Sequence, residues 1–389
     1  MARHDQSKAR LVLAAASLLC AVLGSVHAFS VFLEPLELAF SASRSAVSFT
    51  YSLALVTLTC TVLLGPRIFA RWSAARLVLV TSALAAFGTF LAGIAGSLPV
   101  IWLGYSLIFG AANGIGYGFG LQISAQVNPG REGLAMGIVT AAYALGAIVS
   151  PILFAIAVDV SGFALAMLAM SVVLIATGSI SATLMHRAKA WYKSSRPAAD
   201  SKPTAIRDQQ LLWIGYFGAV LAGLMVLGHA AGILAVLKPG LPGWTAAVVI
   251  SCTNLVGSLA GGRLADKIPL GVLLSGLAIL TALSLVGLAL IGPVGGVIVG
   301  LSLVGFAYGG TIAAYPAVIA KLFGTQDSAR VYGRVFTAWG AAGLLGPWLA
   351  GVLFDISGTY HIALLTAAGF GLFSAGVVTL VFRRRTVGG

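Results

Sequence analysis

The sequence predicts an all-α membrane protein, with twelve transmembrane helices in two pseudo-symmetric six-helix bundles and both termini in the cytoplasm. Three observations predict this fold class. Apolar segments long enough to cross a bilayer recur along the chain, Lys and Arg are distributed unevenly between alternate loops, and the two halves of the chain repeat each other at a fixed offset.

The first observation is the composition. Hydrophobic residues make up 59% of the chain and charged residues only 8%, whereas a soluble domain has about 25% charged residues. The apolar segments have the length of a membrane-spanning helix, and they lack the short alternating pattern of barrel strands. The net charge of +13 does not indicate nucleic-acid binding, because the basic residues lie between apolar spans rather than together on one soluble face.

The twelve predicted spans follow one another along the chain. The first is assigned as a span because its apolar run is longer than the core of a cleaved signal peptide. The spans are 11–33, 46–65, 77–96, 99–122, 133–154, 163–184, 211–234, 244–262, 270–291, 294–319, 332–354 and 362–382.

The second observation is the position of the basic residues. With the N-terminus inside, only Arg44 and Lys238 of the 23 Lys and Arg residues fall in outer loops. Cytoplasmic loops of membrane proteins carry an excess of Lys and Arg. Both termini are therefore predicted to be cytoplasmic.

The third observation is an internal repeat. At an offset of 196 residues, Gly65 falls on Gly261 and Pro151 on Pro347. The halves 1–185 and 209–389 are therefore predicted to be homologous bundles, joined by a basic cytoplasmic linker at 186–208. Each half has an even number of spans, so the halves share one orientation, and a substrate site is expected between them near the middle of the membrane.

The segment GGRLADK after the eighth span resembles a loop motif of the major facilitator superfamily, Gly-x-x-x-Asp-Arg/Lys. The resemblance implies the fold of that superfamily and a gate at which the acid holds a neighbouring helix end. The first-half copy, GPRIFAR, has Ala70 in place of the acid, so this copy lacks the acidic residue of the gate. The implied gating residues are Arg67, Arg71, Gly262, Arg263, Asp266 and Lys267.

Residues 27–53, 130–153 and 332–360 resemble the oxalate/formate antiporter and monocarboxylate transporter group of that superfamily. Trp339 departs from the pattern, because oxalate-type members carry a lysine there. The eighth span also lacks the Asp and Arg of proton-coupled monocarboxylate carriers. A dianion inside a membrane needs a compensating charge, and no Lys, Arg, Asp or Glu lies well inside a span. Oxalate itself is therefore not the predicted substrate.

Nine polar or aromatic side chains are the candidate substrate-binding residues. Histidine titrates near neutral pH and could bind a carboxylate or exchange a proton; the alternative is a neutral ring that hydrogen-bonds to a neighbouring helix. Aromatic rings with a donor suit a small planar carboxylate; the alternative is packing between helices. The set is His27, Asn113, Tyr117, Tyr143, His229, Asn254, Tyr308, Thr311 and Trp339.

The predicted function is secondary active transport of a small organic anion, a monocarboxylate, by alternating access, with a proton as a candidate coupling ion. The alternative is an exporter of neutral or hydrophobic small molecules, which uncharged spans would suit. A third hypothesis is a membrane receptor or assembly subunit that has kept the fold without transport. The sequence shows no acid/base pair, metal cluster or nucleotide loop, so neither an enzyme nor a cofactor is predicted. The resemblance implies a monomer in a bacterial inner membrane.

Overall fold

The structure is a computed structural model that describes residues 2–42, 44–193, 203–237, 241, 244–290 and 296–387. These residues form helices joined by short turns, and no β-strand occurs within those ranges. Lipid offers the backbone no hydrogen-bond partners, so an apolar chain crosses a membrane as helices that satisfy their own peptide groups. Three regions named in the sequence analysis lie outside the described residues: positions 194–202 of the predicted linker, Lys238, and residues 291–295, where the ninth predicted span ends and the tenth begins.

The described residues contain fifteen α-helices, a 3-10 segment and a π-helical segment. The 3-10 segment is Gly24–Phe32 and the π-helical segment is Trp102–Phe109. In chain order the α-helices are α1 Ala2–Leu23, α2 Leu33–Phe40, α3 Arg44–Leu64, α4 Pro66–Phe69, α5 Ala74–Gly93, α6 Leu98–Ile101, α7 Gly110–Gln126, α8 Glu132–Arg187, α9 Pro203–Leu227, α10 Ala230–Leu237, α11 Trp244–Ala265, α12 Leu270–Leu290, α13 Gly296–Phe323, α14 Ser328–Ser357 and α15 His361–Val387.

Ten helices in the described part of the chain are long and apolar enough to cross a membrane. One of them, α8, covers two predicted spans and is kinked at Gly162, whose φ of 76° is a left-handed conformation that glycine adopts without strain. Helix α3 adds the shorter apolar stretch Phe49–Leu64. Each of the twelve predicted spans therefore coincides with a helix, and the prediction of an all-helical membrane protein is confirmed.

The first and seventh spans are interrupted, whereas the sequence predicts continuous helices there. Helix α1 ends at Leu23 and continues as the 3-10 segment. Helix α9 ends at Leu227, and two residues separate it from the start of α10. The apolar run continues through both breaks, so hydropathy does not reveal them. In the first break, side chains from neighbouring helices bind the carbonyl groups that leave the helical pattern.

Contacts between Cα atoms divide the chain into two compact units. One comprises Met1–Pro129, Ala142–Ser195 and Thr325–Gly333, and the other comprises Gly130–Ala141, Arg196–Gly324 and Arg334–Gly389. Within the first unit, α7 packs against α1, α3 and α5; within the second, α13 packs against α9, α11 and α12. In each unit the fourth span of the repeat thus contacts the first, second and third.

Candidate substrate-binding site

His27 lies in the 3-10 segment that follows α1, and its ring is half-buried. Its Nδ1 atom lies 2.7 Å from the hydroxyl oxygen of Tyr51 on α3. Its ring meets the ring of Tyr143 on α8 edge-on, with 5.5 Å between the ring centres. Among the described residues, no second hydrogen bond reaches the imidazole. The Nε2 atom therefore keeps its hydrogen-bonding capacity.

The broken end of α1 is held by two side chains of the fourth span. The Asn113 Nδ2 atom donates to the Leu23 carbonyl over 2.6 Å, and the Tyr105 hydroxyl donates to the Val26 carbonyl over 3.2 Å. Carbonyl groups at a helix end lack intrahelical donors, and in an apolar environment each unsatisfied group is costly. These two bonds explain how the polar break can lie among buried apolar residues.

Tyr143 connects this break to the rest of the cluster. Its hydroxyl donates to the Asn113 Oδ1 atom over 2.9 Å. The centre of its ring lies 4.8 Å from the centre of the Tyr117 ring. Its backbone approaches closely as well, because the Tyr143 carbonyl occupies the place that a side chain on Gly24 would need. The structure thus brings together all four candidate residues of the first half in one cluster, together with Tyr51.

In the second unit, Tyr308 and Trp339 form a buried pair. The Trp339 Nε1 atom donates to the Tyr308 hydroxyl oxygen over 2.9 Å, and the Trp339 ring stacks on Phe336 with 5.2 Å between centres. The Thr311 hydroxyl donates to the Ala307 carbonyl of its own helix over 2.8 Å.

Asn254 has its contacts within α11 and with α13. Its Oδ1 atom accepts a long bond of 3.4 Å from the Ser258 hydroxyl, and its backbone lies against Gly309. The structure therefore places Asn254 next to α13, the helix that carries Tyr308 and Thr311. The hydrogen bonds of Asn254 and Thr311 are directed to residues of their own helices.

His229 has both ring nitrogens engaged. Its Nε2 atom lies 2.9 Å from the Pro347 carbonyl oxygen, and its Nδ1 atom lies 3.3 Å from the Tyr360 hydroxyl oxygen. A carbonyl oxygen only accepts, so Nε2 carries a proton and donates. His229 therefore ties the break between α9 and α10 to the proline of α14, whereas His27 keeps one nitrogen available.

The motif after the eighth span centres on Asp266. Its Oδ1 and Oδ2 atoms accept hydrogen bonds from the backbone N–H groups of Gly133 and Leu134, over 2.9 and 2.8 Å. Lys321 on α13 forms an ion pair with Asp266 at 3.1 Å. The carboxylate thus lies at the N-terminus of α8, where the helix dipole also favours a negative charge. The other motif side chains are exposed at Arg67, Arg71, Arg263 and Lys267, and Gly262 lies against Gly133.

Within the first unit, two glutamine side chains of α7 form hydrogen bonds with residues at the start of α14 and just before it. Gln122 accepts a hydrogen bond from the Ser328 hydroxyl. The Gln126 Nε2 atom donates to the Thr325 carbonyl over 3.2 Å and to the Lys193 carbonyl over 2.7 Å. Its Oε1 atom accepts from the Lys193 N–H group over 3.1 Å.

Tyr192, next to Lys193 in the chain, is buried against the rings of Phe69 and Phe119. Burial raises the pKa of the Tyr192 phenol, and the nearby Asp327 carboxylate raises it further. The start of the predicted linker is therefore packed onto the first unit with a neutral phenol.

Several of these residues are absent from the sequence-based set. Tyr51, Tyr105 and Tyr360 act through hydrogen bonds to partners far away in the chain, for which the sequence carries no spacing signal. Lys321 lies near the cytoplasmic end of a predicted span, where a lysine side chain can extend to the interface without a partner, so its ion pair with Asp266 could not be predicted from the sequence. Among the described residues, no group of three or more His, Cys, Asp or Glu is placed to hold a metal ion.

Comparison with known proteins shows similarity over most of the chain. A profile of the Major Facilitator Superfamily matches residues 13–316 and 243–388. The uncharacterized MFS-type transporter YhjX of Escherichia coli (strain K12) is 28% identical over 330 residues, covering 82% of this chain and 81% of its own. The oxalate:formate antiporter of Oxalobacter formigenes is 24% identical over 361 residues, covering 90% and 86%. Monocarboxylate transporter 13 of Rattus norvegicus is 27% identical over 381 residues, covering 92% and 85%.

A solved structure shows the same fold. The proton:xylose symporter XylE, bound to 6-bromo-6-deoxy-D-glucose, superposes with a TM-score of 0.72 over 95% of each chain at 13% sequence identity. Identity at this level supports a shared fold and nothing about the substrate. Together with the sequence matches, the superposition confirms the resemblance that the loop motif and the three longer segments predict.

Proposed function

Because the chain belongs to the major facilitator superfamily, we propose that it is a secondary active transporter of a small organic anion, a monocarboxylate, and that it works by alternating access. The observation that carries the proposal is the state of His27. Its half-buried imidazole lies in a break of the first span, is held at Nδ1 by Tyr51, and has no recorded partner at Nε2 among the described residues.

The chemistry of the cluster suits one carboxylate group. An imidazole N–H donates to a carboxylate oxygen, and a protonated ring adds one compensating positive charge. We assign an aromatic wall of the site to Tyr143 in the first unit. In the second unit, Tyr308 and Trp339 are the candidate substrate-binding residues that present ring surface with few directed polar groups. Three supporting residues bind or pack against these side chains or the broken spans: Asn113, Tyr117 and His229. Asn254 and Thr311 are proposed as further substrate contacts in the second unit.

Two further points belong to the proposal. The names of the oxalate:formate antiporter and of monocarboxylate transporter 13 agree with a small carboxylate as substrate. We also propose that the chain is a monomer in a bacterial inner membrane with both termini in the cytoplasm, which is the orientation that its basic loops favour. Asp266, bound to the N-terminus of α8, is the proposed inner gate.

The test is uptake into proteoliposomes of labelled lactate, pyruvate, formate and oxalate, with and without an inward proton gradient. We expect at least one monocarboxylate to be taken up, oxalate to be taken up poorly, and His27→Ala to lose most of the uptake. The matched control is His361→Ala, since that exposed ring binds the Ala289 carbonyl outside the cluster; its uptake should equal that of the unmodified protein.

The second candidate function is export of neutral or hydrophobic small molecules. It is favoured by the lack of Lys, Arg, Asp and Glu well inside the predicted spans, because an uncharged cavity suits an uncharged solute. If none of the four acids is transported under any gradient while a neutral compound is, the exporter replaces the carboxylate transporter.

A further inference from the structure

The 3-10 segment of the first span carries His27 and also contacts the ring of Tyr51, the residue whose hydroxyl meets the His27 imidazole. Tyr51 lies on α3, and its ring stacks on Phe29 with 6.5 Å between centres and 7° between planes. Phe29 follows His27 by two residues in the 3-10 segment and also packs against Tyr105. The segment that carries His27 therefore also fixes the ring that binds it.

This contact couples the proton of the imidazole to the direction of one hydrogen bond. Among the described residues, the Tyr51 hydroxyl has no other acceptor, so donation to Nδ1 is the arrangement that uses its proton. A neutral imidazole has one N–H donor and one lone pair. When the Tyr51 hydroxyl donates to Nδ1, the proton lies on Nε2, and Nε2–H is the donor left for a ligand. In the opposite tautomer, Nε2 would present a lone pair, which repels a carboxylate oxygen.

No charged group among the described contacts of His27 sets its tautomer instead. The titratable side chains recorded against its ring are the phenols of Tyr51 and Tyr143. The Tyr143 hydroxyl donates to Asn113, so its proton is directed away from the imidazole. Tyr51 is thus the group whose hydrogen bond selects between the two nitrogens.

We infer that Tyr51 is a positioning residue that holds His27 in the Nε2–H tautomer and thereby sets the affinity for the carboxylate of the substrate. This inference rests on the proposed function. Tyr51 acts through His27, so removing its hydroxyl should weaken substrate binding while the transport cycle itself continues.

The first experiment is a double-mutant cycle on uptake kinetics. Tyr51→Phe removes the hydroxyl and keeps the ring that stacks on Phe29. We expect its KM to rise about threefold to tenfold, as the loss of one hydrogen bond implies, with little change in maximal rate. In a His27→Gln background, where the amide N–H needs no tautomer selection, Tyr51→Phe should change KM by less than about twofold.

The control for a packing effect is Tyr105→Phe. Its hydroxyl binds the same segment, at the Val26 carbonyl, without touching the His27 ring. Its KM change should be the same with His27 or Gln at position 27. An equal effect of Tyr51→Phe in both backgrounds would overturn the inference.

The second experiment does not depend on transport. Nitrogen NMR of the full-length protein in nanodiscs, with labelled histidine, reports the tautomer of each ring, and a His27→Gln sample identifies the His27 signals among the five histidines. We expect the Nε2–H form in the unmodified protein and a mixture in Tyr51→Phe. If no monocarboxylate is transported but the tautomer shifts as expected, the proposed function fails and the positioning role stands. An Nδ1–H ring in the unmodified protein would contradict that role.

Discussion

The indole N–H of Trp339 donates to the hydroxyl oxygen of Tyr308 over 2.9 Å, and both rings are buried. Indole has a single polar hydrogen, so in this arrangement the donor of Trp339 is used within the pair. Trp339 therefore orients Tyr308 and supplies ring surface, and its N–H group is not left to bind a ligand. The pair thus holds the Tyr308 phenol in one orientation.

A mutant pair tests this relationship. Trp339→Phe and Tyr308→Phe each remove the same hydrogen bond, so each should raise the KM for the transported monocarboxylate by about threefold to tenfold. The double variant should be no worse than the more impaired single variant, because the bond can be lost only once. Uptake kinetics in proteoliposomes measure all three. Additive effects would show that the two rings act independently.

Removal of the Asp266 charge should destabilise the protein. Asp266→Asn weakens two charge-assisted bonds to the N-terminus of α8 and leaves Lys321 without its ion-pair partner. We expect the free energy of unfolding to fall by about 2 kcal/mol, measured by thermal unfolding of the purified protein in detergent.

The matched control is Asp327→Asn. Asp327 forms an ion pair with Arg330 at 2.6 Å, but both side chains are about 40% exposed. Exposed pairs of this kind contribute less than about 1 kcal/mol. A larger loss of stability for Asp327→Asn than for Asp266→Asn would contradict the assignment of Asp266 as the main helix-end partner.

Asn113→Ala should loosen the broken end of the first span. The substitution leaves the Leu23 carbonyl and the Tyr143 hydroxyl without the amide that binds them, at a cost of about 1–3 kcal/mol in the free energy of unfolding. The control is Asn128→Ala, whose amide lies just after α7 and binds the Ser124 carbonyl near the end of that helix. Thermal unfolding of both variants should show a clear decrease only for Asn113→Ala.

The two histidines should respond differently to substitution. His229→Ala breaks bonds to the Pro347 carbonyl and the Tyr360 hydroxyl, so it should lower the thermal unfolding midpoint while KM changes by less than about twofold. His27→Ala should do the reverse, since its single bond to Tyr51 holds less of the structure. A His229→Ala protein with normal stability and a strongly raised KM would assign the substrate contact to His229 instead.

The positions of the spans could be predicted because lipid requires long apolar helices, and every predicted span coincides with one. The break after Leu23 could not, because it is stabilised by Asn113 and Tyr105 from the fourth span and leaves the apolar run unchanged. The same limit applies to the site. Tyr143 and His27 could be named as candidates from their types and places, but the contact of Tyr51 with only one of the two histidines depends on how three helices pack.

The hydrogen bonds between Gln126 and Lys193 bear on where the chain can be cut into two co-expressed fragments. A break in the chain between residues 194 and 202 leaves Tyr192 and Lys193 attached to the fragment that binds them through Phe69, Phe119 and Gln126. A break before Trp191 instead transfers these residues to the other fragment. Co-expressed halves should therefore assemble into a working transporter far more efficiently when the chain is split at the later point. That result would mean that Tyr192 and Lys193 fold together with the N-terminal fragment.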